Sequence, residues 1–497
     1  MNLTKGLFAA ASLLALGACT VSREPLTSTE LATTAERLQR EVAANQEPVS
    51  GPVDLYEAMA RALKYNLDYK VAMMEESLKA SEADLASYDM LPQLVANAGY
   101  AGRNNFQGAS SLSLISGRQS LEPSTSSEKD IFAADLSLSW DVLDFGLSKI
   151  RAEQAADQTL IAEERRRKVA GRVIEEVRTA YWRAVSAQRL LDKLTQLEGS
   201  VEETLSNSER LSERRVSAPL TALTYQRELI GIQTNIRELQ RELTIAKAQL
   251  AALMNLEPGT EFTLVMPDRG VAMPQVGYAT DEMMLSALRN RPELREVAYL
   301  QRINLQELDA ATLSALPSLR GFVGLNYDSN DFLYNNDWVN YGARASWNLL
   351  NLFRLPAHKR AIRAEGDLIR QRELALAMAV MTQVHVARAR LSHRMVELDS
   401  ASRGYGVQSK IIDQITSGYR AGAMSKQTML REEMNTLVSE VKYDIAYAEA
   451  QNAYANLYAA IGLDSFGPDV SGREDVATLA QSLRQLWDRR ATAPSVE

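Results

Sequence analysis

Two stretches of the chain alternate between apolar and small polar residues and then pass into long helix-forming segments. The first alternation ends at Trp140 and the second at Trp347. A period of two predicts a strand with one apolar face. The segments that follow, 147–254 and 354–461, place apolar residues every three or four positions, which is typical of paired long helices. The sequence therefore predicts, twice, a strand that leads into a helical hairpin.

The two halves of the chain repeat each other in one register. Early matches are 225 positions apart, as Leu91-Pro92 and Leu316-Pro317 are, whereas matches from the tryptophans onward are 207 apart. The difference of 18 residues falls between the two strands of each half. We therefore predict a duplication with hairpins of equal length and a longer strand-to-strand loop in the first half.

This pattern divides the chain into six parts. They are a signal peptide (1–18), a leader (19–51), a first repeat (52–256), a linker (257–280), a second repeat (281–463) and a C-terminal segment with an amphipathic helix (464–497). The strands are predicted at about 92–102, 131–142, 317–328 and 338–349. One helix is predicted from Asp54, its N-cap, to Tyr88. Two tripeptides, Asp144-Phe145-Gly146 and Asn351-Leu352-Phe353, are predicted to turn strand into helix, with Asp141 and Asn348 facing water.

The strands have the length and the terminal aromatic residues of a transmembrane barrel wall. No later run approaches the ~20 apolar residues of a membrane-spanning helix, so a membrane crossing would have to use strands. A soluble sheet with one wet face is the alternative interpretation of the same alternation. Four strands cannot close a barrel, for which about eight are needed, so several chains would have to contribute strands, and three chains give twelve.

Composition argues against several classes of function. The formal net charge is −8 and no basic block occurs, which argues against nucleic acid as a partner. Of the three histidines, His385 and His393 lie eight residues apart on one predicted helix, not at the spacing of a zinc pair. With no nucleophile, phosphate-loop or dinucleotide motif either, we predict no catalytic residue, no metal site, no cofactor and no enzymatic activity.

The N-terminus carries an export signal. Lys5 precedes an apolar stretch, 7–16, and Leu16-Gly17-Ala18-Cys19 closes it with the only cysteine of the chain. These four residues resemble the lipobox of bacterial lipoproteins, which implies cleavage before Cys19 and its acylation. The alternative is an ordinary signal peptide that is cut after Ala18.

From residue 52 to 463 the chain resembles the TolC family of outer-membrane efflux proteins. The resemblance depends on the order and duplication of several motifs: Ala287 to Leu294 (ALRNRPEL), the paired Leu-Pro strand entries, the tryptophan junctions, and Gly418 to Gly422 (GYRAG) at a helical turn. It implies a mainly α fold with a small transmembrane β part. Three chains would form a twelve-stranded barrel in the bacterial outer membrane that continues into a periplasmic helical barrel.

The resemblance also implies a function and partners. The protein would be a lipid-anchored homotrimer, a passive conduit for drugs, small toxic compounds or proteins. It would work with a periplasmic adaptor and an inner-membrane pump. Tyr419 and Gly422 match the turn at the family's periplasmic gate, and the family's lumen-facing aspartates fall here on Thr221, Thr428 and Arg431.

Two features of the sequence bear on this assignment. The chain departs from the acidic ring of the family, and Arg214, Arg215, Arg420, Lys426 and Arg431 make the predicted tip basic. Trp140 and Trp347 would mark the junction of barrel and tunnel.

The rival interpretations are a periplasmic adaptor, which would need a single hairpin between lipoyl-like halves, and a lipid-anchored coiled-coil spacer, which leaves the alternating strands unexplained.

Overall fold

The computed structural model describes residues 25–120, 122–213, 219–269, 277, 279–463 and 474–492. Its helices are α1 (Ser28–Glu41), α2 (Leu55–Tyr65), α3 (Leu67–Tyr88), α4 (Val142–Glu213), α5 (Pro219–Leu253), α6 (Thr280–Asn290), α7 (Pro292–Leu313), α8 (Leu350–Arg420), α9 (Lys426–Ile461) and α10 (Val476–Thr492). Its strands are β1 (Gln93–Gly102), β2 (Asp130–Asp141), β3 (Ser318–Asp328) and β4 (Asp337–Ser346). The mainly helical fold class is thus confirmed. The signal peptide, Cys19, Arg214 and Arg215 lie outside the described residues.

The N-terminal helical segment is two helices rather than the single helix that the sequence predicted. Asp54 caps α2, since its carboxylate accepts a hydrogen bond from the backbone N–H of Glu57 at 2.8 Å. At Asn66 the backbone leaves the helical region, and the Asn66 side chain caps α3 by accepting from the N–H of Tyr69. Asparagine is common at such caps because its side-chain oxygen can accept a hydrogen bond from a backbone N–H group.

The two long hairpins are nearly equal in length. The helices α4 and α8 have 72 and 71 residues, and their partners α5 and α9 have 35 and 36. Apolar side chains from α4, α5 and α9 meet in one core, which includes Leu194, Leu229 and Leu430. The heptad-like spacing in the sequence thus corresponds to buried seams between neighbouring helices.

The four strands form one antiparallel sheet in the order β1-β2-β3-β4. Each half of the chain supplies one β-hairpin. The two β-hairpins join where β2 pairs with β3, for example Leu136 with Leu325. The loop between β1 and β2 covers 103–129, whereas β3 and β4 are joined by the shorter 329–336. Among the described residues, β1 pairs with β2 alone and β4 with β3 alone.

A mixed core joins the C-terminal helix to the first half of the chain. Val476, Leu479 and Leu483 of α10 are buried in the same cluster as Leu63 of α2. Trp487 stands edge-on to Tyr454 of α9, with 5.5 Å between the ring centroids. The segment therefore closes over both repeats. Nowhere in the described chain does a helix combine the length and the apolar character needed to cross a membrane.

Candidate functional site: the two sheet faces and the hairpin tips

The strand register extends the alternation of single strands into two faces of the whole sheet. Leu94 lies opposite Leu138, Leu138 opposite Val323, and Val323 opposite Tyr341. Because opposed residues point to the same side, this face is apolar from β1 to β4. The other face carries polar or small residues in most places: Gln93, Asn97, Asp135, Ser137, Ser139, Arg320, Asn326, Asn340 and Arg344.

In the central strands the apolar side chains are the more exposed ones. Leu136 and Leu325 are 41% and 56% exposed. Asp135 and Asn326, their chain neighbours on the polar face, are half-buried. The Asp135 carboxylate accepts a hydrogen bond from the Asn97 amide at 3.0 Å, and the Asn326 amide donates to the side-chain oxygen of Asn340 at 2.9 Å. A soluble sheet with one wet face would show the opposite order. The central strands therefore expose their apolar face more than their polar face.

The Asp141 side chain differs from the sequence prediction that it faces water. It is 7% exposed, and its Oδ1 accepts from the N–H groups of Leu143 and Asp144 at 3.0 and 3.3 Å. Its other oxygen accepts a hydrogen bond from the Ser318 hydroxyl and lies 3.7 Å from Nε of Arg320. Asp141 thus ends β2 and caps α4, and this explains why the carboxylate is held inside.

The predicted turns after the strands are helical. The tripeptide Asp144-Phe145-Gly146 lies in α4, which starts directly after β2, and Asn351-Leu352-Phe353 lies in α8. The prediction of two tripeptide turns is therefore wrong, because the Asp141 cap allows the helix to begin at once. Only the second passage has intervening residues, 347–349.

The two junction tryptophans are both about half exposed. Trp140 packs edge-on against Phe145 of α4, with ring centroids 5.4 Å apart. Trp347 donates from Nε1 to the backbone oxygen of Ala315 at 2.9 Å. Each indole thus links a strand end to the nearby helical layer, with part of its apolar surface left uncovered.

The second hairpin tip turns at Gly422. Its φ of +72° is left-handed, its N–H donates to the oxygen of Tyr419 at 3.0 Å, and Ala423 N–H donates to Gly418 at 2.8 Å. These two bonds form a Schellman motif at the end of α8. Glycine is favoured at the left-handed position of this motif because it has no Cβ. The Tyr419 side chain is 37% exposed beside this turn.

The threonine and arginine positions of the tip lie on α5 and α9. Thr221 is in the first turn of α5. Thr428 is in the first turn of α9, where its backbone N–H donates to Oγ of the N-cap Ser425 at 3.1 Å and its hydroxyl lies 2.9 Å from the same oxygen. Thr428 is thus part of a helix cap.

Acidic residues from the first hairpin lie against the basic tip, which the sequence analysis missed. Arg431 is 3.3 Å from Glu228 on α5, and Gln427 donates to the same carboxylate. Lys426 is 3.5 Å from Glu203 on α4. The second tip is therefore less basic than its sequence, and its charges connect the two hairpins. The distance along the chain, about 200 residues, left no local signal for these pairs.

Glu432 is a further acid at this tip. The amide of Gln408 on α8 donates to it at 3.0 Å and, together with Asn435 and Arg431, holds the pKa of Glu432 below its usual range. The carboxylate therefore remains charged at neutral and mildly acidic pH, so the link between α8 and α9 persists there.

A buried group of charges joins the linker to both hairpins, and the sequence analysis missed it too. Arg269 lies 3.0 Å from Glu440 and 3.2 Å from Asp444, two acids of α9 that are almost fully buried. From α4, Lys193 contacts Glu440 at 2.9 Å and Arg189 contacts Asp444. We call these five residues the charge cluster. In the part of the chain that the structure describes, no group of His, Cys, Asp or Glu could hold a metal ion.

Comparison with known proteins gives the context for this geometry. Residues 58–256 match the family model for outer membrane efflux proteins. The fold is similar to that of the outer-membrane channel OprN (18% identity, TM-score 0.61, 85% of this chain and 95% of that chain). It is also similar to the CmeC outer membrane channel of Campylobacter jejuni (14%, 0.63, 94% and 97%) and the MtrE channel of Neisseria gonorrhoeae (17%, 0.61, 82% and 88%). A search of curated proteins finds no match.

The sheet with its exposed apolar residues, the long helical hairpins and these matches all indicate the same class of protein. Residues 58–256 match the outer membrane efflux protein family, as the resemblance of the sequence to the TolC family implied, and the fold is similar to that of the solved outer-membrane channels. Members of this family are passive channels and not enzymes. The family match lies within the first repeat, and the similarity to solved structures extends across both repeats.

Proposed function

We propose that the protein is the outer-membrane channel of a tripartite efflux or type I export system. The observation that supports this most directly is the sheet, because in its two central strands the apolar residues are the more exposed ones and most polar residues of the opposite face are half-buried. Such a sheet is suited to a barrel wall with lipid outside and water inside. Transport through it would be passive and would carry drugs, small toxic compounds or proteins, with energy supplied by an inner-membrane pump.

The working form is a homotrimer. The sheet has two free edges, at β1 and β4, and unpaired backbone groups at an edge cost several kcal/mol each in lipid. Pairing β4 of one chain with β1 of the next satisfies them, and three chains then close a barrel of twelve strands. The long hairpins of the three chains would continue this barrel as a helical tunnel into the periplasm, where a periplasmic adaptor joins channel and pump.

The N-terminus anchors this assembly to the outer membrane. Cys19 is the position for acylation, and the leader with α1 connects it to the body of the protein. A Cys19→Ser variant is expected to lose incorporation of labelled palmitate, measured by gel fluorography, while channels still form through the barrel.

The hairpin tips form the periplasmic gate. Tyr419, Gly422, Thr221, Thr428 and Arg431 are the gate residues, and the Arg431–Glu228 pair holds the second tip against the first hairpin. Replacing Thr221 and Thr428 together with Ala is expected to raise single-channel conductance in planar bilayers. Unchanged conductance and unchanged drug susceptibility of the cells would rule out this gate.

One extraction experiment separates the proposed channel from its rivals. The protein is expected to fractionate with outer membranes and to migrate as a detergent-stable trimer on a mild gel. A periplasmic adaptor or a coiled-coil spacer would leave the membrane after removal of its lipid anchor. A monomer released from the membrane by the Cys19→Ser change would therefore contradict the proposal.

A further inference from the structure

The polar face of the sheet carries two arginines directly opposite each other. Arg320 of β3 pairs in register with Arg344 of β4. Like charges at opposed positions on one face repel each other, so such a pair needs compensation. The surroundings of the two guanidinium groups decide how much charge remains on this face.

Arg320 is compensated within the chain. Its guanidinium lies 3.7 Å from Asp141, which is buried, and 3.9 Å from Asp144. These two carboxylates belong to the junction of β2 with α4. Arg320 is therefore part of the structural end of the barrel wall, and its positive charge is largely neutralised there.

Arg344 keeps its charge. Its side chain is exposed, and among the described residues it forms no ion pair. In the proposed trimer the next strand beyond β4 is β1 of a neighbouring copy. The face of β1 that would adjoin Arg344 carries Gln93, Val95, Asn97, Gly99 and Ala101, none of them acidic.

Asp141 and Asp144 contact Arg320, and the next acid along this face, Asp135, lies too far away to cancel the charge of Arg344. Asp135 accepts a hydrogen bond from Asn97 at 3.0 Å, and it is six positions from Asp141, which marks the level of the arginines. Six positions along a strand span about 20 Å, at about 3.3 Å per residue. This is twice the Debye length of about 10 Å at 0.1 M salt.

We propose that Arg344 determines the charge selectivity of the channel, and that its three copies form a cationic band that favours anionic solutes. This inference rests on the proposed function, because it needs the polar face of the sheet to line the pore. A barrel of twelve strands has a radius of about 12 Å to the backbone, so long side chains bring the three charges within about a Debye length of the axis. The favoured solutes carry carboxylate, sulfonate or phosphate groups.

Reversal potentials in planar bilayers test this role. Purified full-length channel is placed in a potassium chloride gradient, and in a second series potassium benzoate replaces chloride. The wild-type channel is expected to prefer the anion, and Arg344→Gln is expected to lower the anion-to-cation permeability ratio by roughly two- to threefold. The change should grow in 0.01 M salt, where the Debye length is about 30 Å.

Two matched variants separate charge from structure. Arg344→Lys keeps the charge and should keep the wild-type ratio, whereas Asp135→Asn removes an acid from the same face and should raise the ratio. If Arg344→Gln conducts with an unchanged reversal potential, the inference is wrong while the channel function stands. If the wild-type protein forms no channels, it is the proposed function that fails.

Discussion

At the scale of single residues, the backbone conformation gives glycines on one helix opposite roles. Gly422 ends α8 with a φ of +72°, a left-handed conformation in which an L side chain is strained. Gly404 lies inside the same helix, and a Cβ there would meet no atom within 4 Å. The first is required by the turn, whereas the second only weakens the helix.

Alanine at these two positions is therefore expected to change stability in opposite directions. Gly422→Ala should lower the free energy of unfolding by about 1 kcal/mol, since it forces a Cβ into the left-handed region. Gly404→Ala should raise it by roughly 0.5–1 kcal/mol, because glycine is a poor helix former. Denaturant unfolding in detergent, followed by circular dichroism, measures both, and a shift of the same sign in the two variants would contradict the argument.

At the scale of elements, ion pairs that are partly or fully buried hold the helices to each other and to the segments between them. The charge cluster connects α4 and α9 through Arg269 of the linker, and Glu47 of the leader connects α2 with α10. Both arrangements use residues that are far apart in sequence. They fix the position of segments that have little regular structure of their own.

Arg269 is expected to contribute more than an exposed arginine. Arg269→Ala leaves Glu440 and Asp444 buried with fewer cationic partners, which should cost about 3 kcal/mol. The matched control is Arg237→Ala, which removes an ion pair with Glu198. The Arg237 side chain is 62% exposed, so this substitution should lower the free energy of unfolding by less than about 1 kcal/mol. Urea unfolding midpoints of the two variants measure the difference, and equal midpoints would mean that the cluster adds nothing to stability.

Attachment of α10 is expected to depend on pH through Glu47. Lys64, which donates to this carboxylate at 2.6 Å, holds the pKa of Glu47 below its ordinary value of 4.5, and the N–H of Val476 at the start of α10 acts in the same direction. A lowered pKa means that the stabilisation is present above the ordinary value and is lost as the pH falls through the lower, folded one.

Hydrogen exchange within α10 measures this effect. After correction for the intrinsic rate at each pH, exchange in 476–492 should accelerate as the solution is acidified below pH 4.5. Glu47→Gln should accelerate it already at pH 7 and remove the dependence on pH. Exchange that is fast only in other helices would show that Glu47 does not hold α10.

At the scale of the whole molecule, the arrangement of the sheet sets which substitutions are tolerated. Leu325 and Asn326 are neighbours on β3 that point to opposite faces. Leu325 is the more exposed of the two in one chain, although the proposed barrel turns it toward lipid. Exposure in the single chain would suggest that a charged residue is tolerated at Leu325, whereas the proposed barrel predicts that it is not.

Lysine scanning at this pair is expected to distinguish a membrane wall from a soluble sheet. Leu325→Lys places a charge on the lipid face, where it should cost about 2–4 kcal/mol near the midplane and reduce the amount of protein in outer membranes. Asn326→Lys places the same charge on the polar face and should be tolerated. Immunoblots of outer-membrane fractions measure both, and normal insertion of the Leu325 variant would favour a soluble sheet.

The sequence predicted the features that depend on periodicity and repetition. The alternation located the strands, the apolar spacing located the hairpins, and the constant offset of 207 anticipated hairpins of equal length. Features that depend on contacts across the fold were missed: Glu228 beside Arg431, the charge cluster, and the inward cap made by Asp141. The break at Asn66 was missed because the apolar spacing continues across it.

The direct passage from β2 into α4 has a consequence for how this chain can change in length. A helix turns by about 100° with each residue, so one residue inserted after Asp141 would rotate all 72 residues of α4 about their axis. Its buried seam, with Val177 and Leu194, would then point away from the helices that it now contacts. Insertions in 103–129 carry no such penalty, because a longer loop between β1 and β2 does not rotate the helix that follows β2. The 18 residues by which the repeats differ fall within this interval between the strands.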